Sequence, residues 1–265
     1  MSGIESALRE AKSRRRAGLI PFLEAGDPDP GETPGLIEAL AASGADVVEL
    51  GVPFSDPIAD GPTMQRASER ALARGVTLAT VLGLVRASRT KTSVPIVLFG
   101  YLNPVLAYGP ERFARDAAAS GVDGVLLTDL PVEEGAELRT VFRDAGLDTI
   151  QLASPTSGAE RLPRIASESR GFVYCISRTG VTGRRGDLPP GLQDLVAAVR
   201  SATSLPIAVG FGISSPAQAR AVAECADAVV VGSALVETIA AATDPRGRLE
   251  AASGFLSRLA AALAP

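Results

Sequence analysis

Histidine is absent from the 265 residues. That excludes a Ser-His-Asp triad, a Cys-His pair, an imidazole metal ligand and imidazole acid–base catalysis. The two cysteines, Cys175 and Cys225, have no zinc-site spacing and read as small core residues. The two lysines, Lys12 and Lys91, fall away from the ends of readable strands, so Schiff-base chemistry is not expected. Tryptophan is missing and aromatic residues make up 4%. No apolar run approaches the ~20 residues needed to span a bilayer. The N-terminal stretch MSGIESALREAKSRRRAG carries charge but no signal-peptide core. Unpaired cysteines suit a reducing compartment, and a cytoplasmic protein is expected. With 26 basic and 30 acidic residues the net charge is −4, which argues against nucleic acid or an anionic membrane as a partner. Proton transfer is left to Asp, Glu, Tyr or water.

What is present is a repeated alternation. Eight short apolar runs occur, at 19–26, 46–51, 95–101, 124–129, 148–153, 171–177, 206–212 and 227–233. Each is nearly continuous in apolar residues, as expected of parallel strands covered on both faces. Ala-rich helical patterns fill the gaps, at 34–44, 111–121, 133–146, 191–202, 216–225 and 234–261. A phrase in which a helix end runs through Asp straight into a strand recurs in SGADVVEL, SGVDGVLL and ECADAVVV. Eight β/α units of about 29 residues predict an α/β fold, a (β/α)8 TIM barrel, with a doubly wound open sheet as the second architecture. No Pro/Gly-rich linker divides the chain, so residues 1–265 are expected to form a single barrel domain. Residues 62–91 exceed one crossover, which predicts an extra helix after strand 2, and a further helix is expected at the N-terminus.

Barrel active sites lie at the C-terminal ends of the strands. Glu49 stands there inside the apolar run VVELG. A carboxylate so placed is either salt-bridged or functional, and burial raises its proton affinity into the range useful near neutrality. The loop that follows, GVPFSDPIADGP, is stiffened by Pro53, Pro57 and Pro62 and carries Asp56 and Asp60. Turn formation alone could account for either aspartate. Glu49 with Asp60 would also give an acid–base pair without histidine. Strand 6 runs into SRTGVTGRRGDLPP, a long Gly-rich loop that reads as a lid. Strand 7 ends in GFGIS and strand 8 in VVGSA, where Gly232 and Ser233 open a helix. Glycines at these two strand ends fit a phosphate site, although they could serve turns alone.

The stretch VVELGVPFSDPIADGP resembles the tryptophan synthase alpha subunit family. AGDPDP, Gly100 to Pro104, LLTDLPVEE, SRTGVTG, GFGIS and VVGSA follow in family order, over about residues 19–239. The resemblance implies cleavage of indole-3-glycerol phosphate to indole and glyceraldehyde 3-phosphate. It implies that Glu49 protonates the indole ring and helps to move the glycerol hydroxyl proton, and that Asp60 accepts the indole N–H. It maps phosphate contacts onto Gly183, Gly212, Gly232 and Ser233, and the indole and glycerol pocket onto Phe22, Tyr101, Tyr174 and Phe211. Thr182 and Asp129 match positions linked to lid closure, and Asp56 matches the face toward a beta subunit. An αββα heterotetramer is implied, with pyridoxal phosphate in the beta subunit and neither cofactor nor metal in this chain. One departure stands out. The family usually has Thr at the end of strand 1, where this chain has Glu24, an acidic residue that would change the charge of the rim.

Overall fold

A computed structural model describes residues 1–176, 190–210 and 212–264. Nine parallel strands are found among them: β1 (Gly18–Glu24), β2 (Val48–Gly51), β3 (Ile96–Gly100), β4 (Gly124–Leu127), β5 (Asp148–Thr149), β6 (Gln151–Ala153), β7 (Val173–Ile176), β8 (Ile207–Gly210) and β9 (Ala228–Val231). The ladder order is β5-β4-β3-β2-β1-β9-β8-β7-β6. Its two ends, β5 and β6, are one stretch of chain separated by Ile150. The fifth run therefore pairs with β4 through its first half and with β7 through its second. That switch closes the barrel and explains why one expected strand is found as two.

Side-chain alternation sorts each strand between two cores. On β1, Ile20 and Phe22 face the barrel interior with Val97, Phe99, Tyr174 and Val230, while Leu19 and Leu23 face the surrounding helices. Just ahead of β2, Val47 joins the interior set, and Val48 and Leu50 pack outward. The N-terminal helix Gly3–Ser13, capped by Ser2, seals the bottom of the barrel with Ile4 and Leu8. Gly124 and Gly171 leave room for it: a Cβ at Gly124 would lie 2.8 Å from Ile4, and one at Gly171 3.1 Å from it.

The repeated strand-opening Asp has a structural purpose. Asp46 accepts a hydrogen bond from the Leu19 N–H at 2.8 Å and a bidentate pair from Arg16 at 2.6 and 2.7 Å. Asp123 accepts from the Ile96 N–H at 2.8 Å and pairs with Arg89. Asp227 accepts from the Ile207 N–H at 2.9 Å and pairs with Arg200 and Lys12. Each repeat thus ties the start of its own strand to the neighbouring strand.

The stretch 62–91 holds two helices, Pro62–Ala73 and Leu78–Ser88. The single helix expected over 234–261 is two, Ser233–Ala240 and Pro245–Leu263. Asp244 caps the second by accepting from the Gly247 N–H at 2.9 Å. Among the described residues no single helix is long and apolar enough to cross a membrane.

Candidate active site

Strand parity decides the orientation of Glu49. It lies level with Phe22 on one side and Val97 on the other, both interior residues, so its side chain enters the barrel. It is 1% exposed, and its Oε1 has no hydrogen-bond partner among the described residues. Burial alone pushes its proton affinity up to about 8, so the carboxyl is protonated at neutral pH.

Asp60 reaches the same space from the loop after β2. The Tyr101 hydroxyl donates to Asp60 Oδ2 at 2.9 Å and accepts from the Ala59 N–H at 3.1 Å. Gln65 Nε2 donates to the Asp60 carbonyl oxygen at 2.9 Å. Burial raises the Asp60 carboxyl to about 6, against the Tyr101 hydrogen bond, which lowers it. Asp60 is thus the ionised partner and Glu49 the protonated one near neutrality.

One cavity joins these groups. Its lining holds seven of the residues expected from the sequence: Phe22, Glu49, Asp60, Tyr174, Gly212, Gly232 and Ser233. Phe22 meets Phe99 edge to face, with ring centroids 5.4 Å apart. Tyr174 lies where burial, then the nearby Glu49, holds its phenol well above the ordinary range. A Cβ on Gly210 would strike the Tyr174 hydroxyl, so that glycine makes space for the ring. Gly212 has φ +96°, a left-handed conformation that favours glycine. Gly232 precedes the helix Ser233–Ala240, whose N-terminus borders the cavity. First-turn N–H groups of a helix lack intrahelical partners and favour an anion.

Other expected residues are placed apart from the cavity. Tyr101 acts through Asp60 and stacks beside Phe54 at 5.2 Å. Asp129 is exposed and accepts from the Leu102 N–H at 2.8 Å, which supports the start of the helix Leu102–Tyr108. Asp56 is exposed and accepts from the Ser55 hydroxyl at 2.6 Å, in a surface hollow with Pro57 and Ile58. Thr182, Gly183 and Phe211 lie outside the described residues. Met64, Phe99 and Val230 also line the cavity and escaped the sequence reading. Apolar and aromatic side chains inside apolar runs carry no mark that separates lining from core. Glu24 is buried at 6% exposure instead of standing on the rim as an open charge.

A closed parallel barrel with two carboxyls in one cavity at its C-terminal mouth, next to a glycine-bordered helix N-terminus, has the build of a β/α-barrel enzyme. The family profile described as "Tryptophan synthase alpha chain" matches residues 8–263. A tryptophan synthase alpha chain from Geobacter sulfurreducens is 56% identical over 237 residues, covering 89% of this chain and 90% of that protein. One from Acidiphilium cryptum is 49% identical, covering 99% of this chain and 98% of that protein. Among solved structures, the tryptophan synthase alpha chain of Legionella pneumophila superposes with a TM-score of 0.90 at 41% identity, covering 99% of this chain and 97% of that one. A chain of Mycobacterium tuberculosis tryptophan synthase gives 0.92 at 38% identity, covering 100% and 99%. This chain belongs to the tryptophan synthase alpha chain family.

Proposed function

We propose that this chain is a carbon–carbon lyase that cleaves indole-3-glycerol phosphate to indole and glyceraldehyde 3-phosphate, with Glu49 and Asp60 as its acid–base machinery. The observation that carries this reading is a buried, protonated Glu49, its Oε1 without a hydrogen-bond partner among the described residues, in one cavity with an ionised Asp60. Glu49 gives its proton to C3 of the indole ring, and the ring becomes a cationic indolenine. Asp60 accepts the ring N–H and stabilises that positive charge. The bond from C3 to the glycerol carbon then breaks, and its electron pair restores the aromatic ring. The hydroxyl proton of the glycerol carbon passes to the Glu49 carboxylate as the aldehyde forms. Glu49 ends protonated, ready for the next cycle. The protonated ring is itself the electron sink, so the chain needs no Schiff-base lysine, and we assign it neither cofactor nor metal.

Gly212, Gly232, Ser233 and Gly183 are assigned to the substrate phosphate. Phe22, Tyr174 and Phe211 are assigned to the indole and glycerol walls, and Tyr101, which donates to Asp60, to the edge of that pocket. Thr182 and Asp129 are assigned to lid closure, and Asp56 to the face toward a beta subunit. Indole is apolar and leaves by diffusion, which favours direct transfer to a pyridoxal-phosphate beta subunit in an αββα heterotetramer. The two free cysteines support a cytoplasmic location. A single barrel domain spanning residues 1–265 fits the closed sheet.

The test is indole release by the purified chain, with and without a cognate beta subunit. Slow release that rises strongly with the partner is expected, and Glu49→Gln should bind substrate yet release almost none. Fast release that the partner leaves unchanged would mark a standalone lyase. No release in either condition, from a folded chain, would overturn the reaction.

A further inference from the structure

Glu24 is a third carboxyl at the mouth of the barrel, behind the cavity wall. It ends β1 one inward step beyond Phe22 and lies level with Gly51. A Cβ on residue 51 would strike the Glu24 carboxyl and stand 2.5 Å from the Phe22 ring, so the glycine opens the space that Glu24 fills. Glu24 Oε1 accepts a hydrogen bond from the Ser68 hydroxyl at 3.0 Å, and both residues are buried. The charged groups facing it are Asp60, Asp27 and Arg70, of which Arg70 is held by Asp27 at 2.6 and 2.8 Å. Burial foremost, then the charges of Asp60 and Asp27, holds the Glu24 carboxyl well above its ordinary range, against the Ser68 hydrogen bond and Arg70.

Ser68 belongs to the helix Pro62–Ala73, whose cap, Gly61, directly follows Asp60. Gln65 of that helix holds the Asp60 carbonyl. A continuous set of ties thus runs from β1 through Glu24, Ser68 and the helix to Asp60. We propose that Glu24 is a positioning residue for Asp60, holding the helix that carries the Asp60 loop against β1 through Ser68. This rests on the reading of Asp60 as a group that touches substrate.

Indole release and melting temperature would be measured for Glu24→Gln, Glu24→Ala, Ser68→Ala and the Glu24→Ala/Ser68→Ala pair. Glu24→Gln should keep kcat within about threefold, because the amide oxygen still accepts from Ser68. Glu24→Ala and Ser68→Ala should each lose roughly tenfold in kcat with KM within about threefold, as a shifted Asp60 loop would. The double variant should be no slower than the slower single one, since both cuts sever one tie. Wild-type kcat in folded Glu24→Ala and Ser68→Ala, or a Glu24→Gln as slow as Glu24→Ala, would overturn the proposal. Should Glu24→Ala not fold, Ser68→Ala and Glu24→Gln still decide it.

Carbon-13 titration of the Asp60 carboxyl in the full chain separates this proposal from the reaction. Glu24→Ala should bring Asp60 down from about 6 toward the ordinary carboxylate range, because a loosened loop admits water. An unchanged titration overturns the positioning role whatever the activity. A shifted titration in a chain whose wild type cleaves no indole-3-glycerol phosphate overturns only the reaction.

Discussion

Glu49 and Asp60 differ in proton affinity because Glu49 Oε1 is buried with no hydrogen-bond partner among the described residues, whereas Asp60 accepts from the Tyr101 hydroxyl. Glu49 sits near 8 through burial alone, whereas the Tyr101 hydroxyl restrains Asp60 to about 6. In the proposed mechanism the active form carries a proton on Glu49 and none on Asp60. The pH profile of kcat/KM for indole release should therefore be a bell, with its acid limb near 6 and its basic limb near 8. Asp60→Asn should flatten the acid limb and slow the reaction, and a profile unchanged by that substitution would remove Asp60 from the chemistry. The same burial has a cost in stability. Glu49 titrates at about 8 when folded and near 4.5 when unfolded, so the folded state binds the extra proton between those values. Its contribution is most favourable below the unfolded value and is lost as pH rises toward 8. At about 1.4 kcal/mol per pKa unit, ionisation costs a few kcal/mol. Glu49→Gln should melt at about the wild-type temperature in acid and above it in mild alkali; an equal difference at both pH values would show that Glu49 is not titrating as described. Glu49 was legible because a carboxylate in an apolar strand demands a reason. Glu24 was legible only as a departure, since its burial depends on Gly51 and Ser68, which are remote from it in sequence.

At the level of elements, the apolar runs read as strands because both faces of a parallel barrel strand are covered. The break at Ile150 was not legible, because nothing in DTIQLA marks the residue at which hydrogen bonding passes from one neighbour to the other. The split of the last helical stretch had a readable signal in Asp244-Pro245, a cap followed by a proline suited to a first turn. The recurring strand-opening Asp was visible as a repeat, and its purpose emerged only with its partners. Arg16, Arg89 and Arg200 arrive from elements that periodicity alone does not place. Asp46→Asn should keep one acceptor for the Leu19 N–H but lose the bidentate pairing with Arg16. A loss of roughly 1–3 kcal/mol is expected for a partly buried charged pair of this geometry, read by denaturant unfolding. Because the bond lies at the barrel bottom, kcat at temperatures well below melting should stay near wild type. A large fall in kcat without a fall in stability would contradict a purely architectural role.

Across the whole molecule, the two ends of the barrel are finished differently. The bottom is sealed by Ile4 and Leu8 and ringed by Asp–Arg pairs. The mouth carries apolar side chains in the open: Ile58 is 80% exposed and Leu106 51%, on segments that leave the ends of β2 and β3. Exposed apolar groups beside a cavity suit a surface that is covered when the protein works. An enzyme that releases an apolar product gains by having a partner cover that same end, because the product then passes into the partner instead of into solvent. Leu106 bounds neither the cavity nor the Asp60 contacts, so it can be changed without touching Glu49 or Asp60. Leu106→Asp should leave unassisted indole release within about threefold of wild type while raising the beta-subunit concentration for half-maximal activation about tenfold, which corresponds to about 1.4 kcal/mol of binding. A titration of indole release against the beta subunit measures both quantities at once. Lost unassisted release would mean that Leu106 supports the cavity, and an unchanged half-saturation would move the docking surface off this side of the mouth.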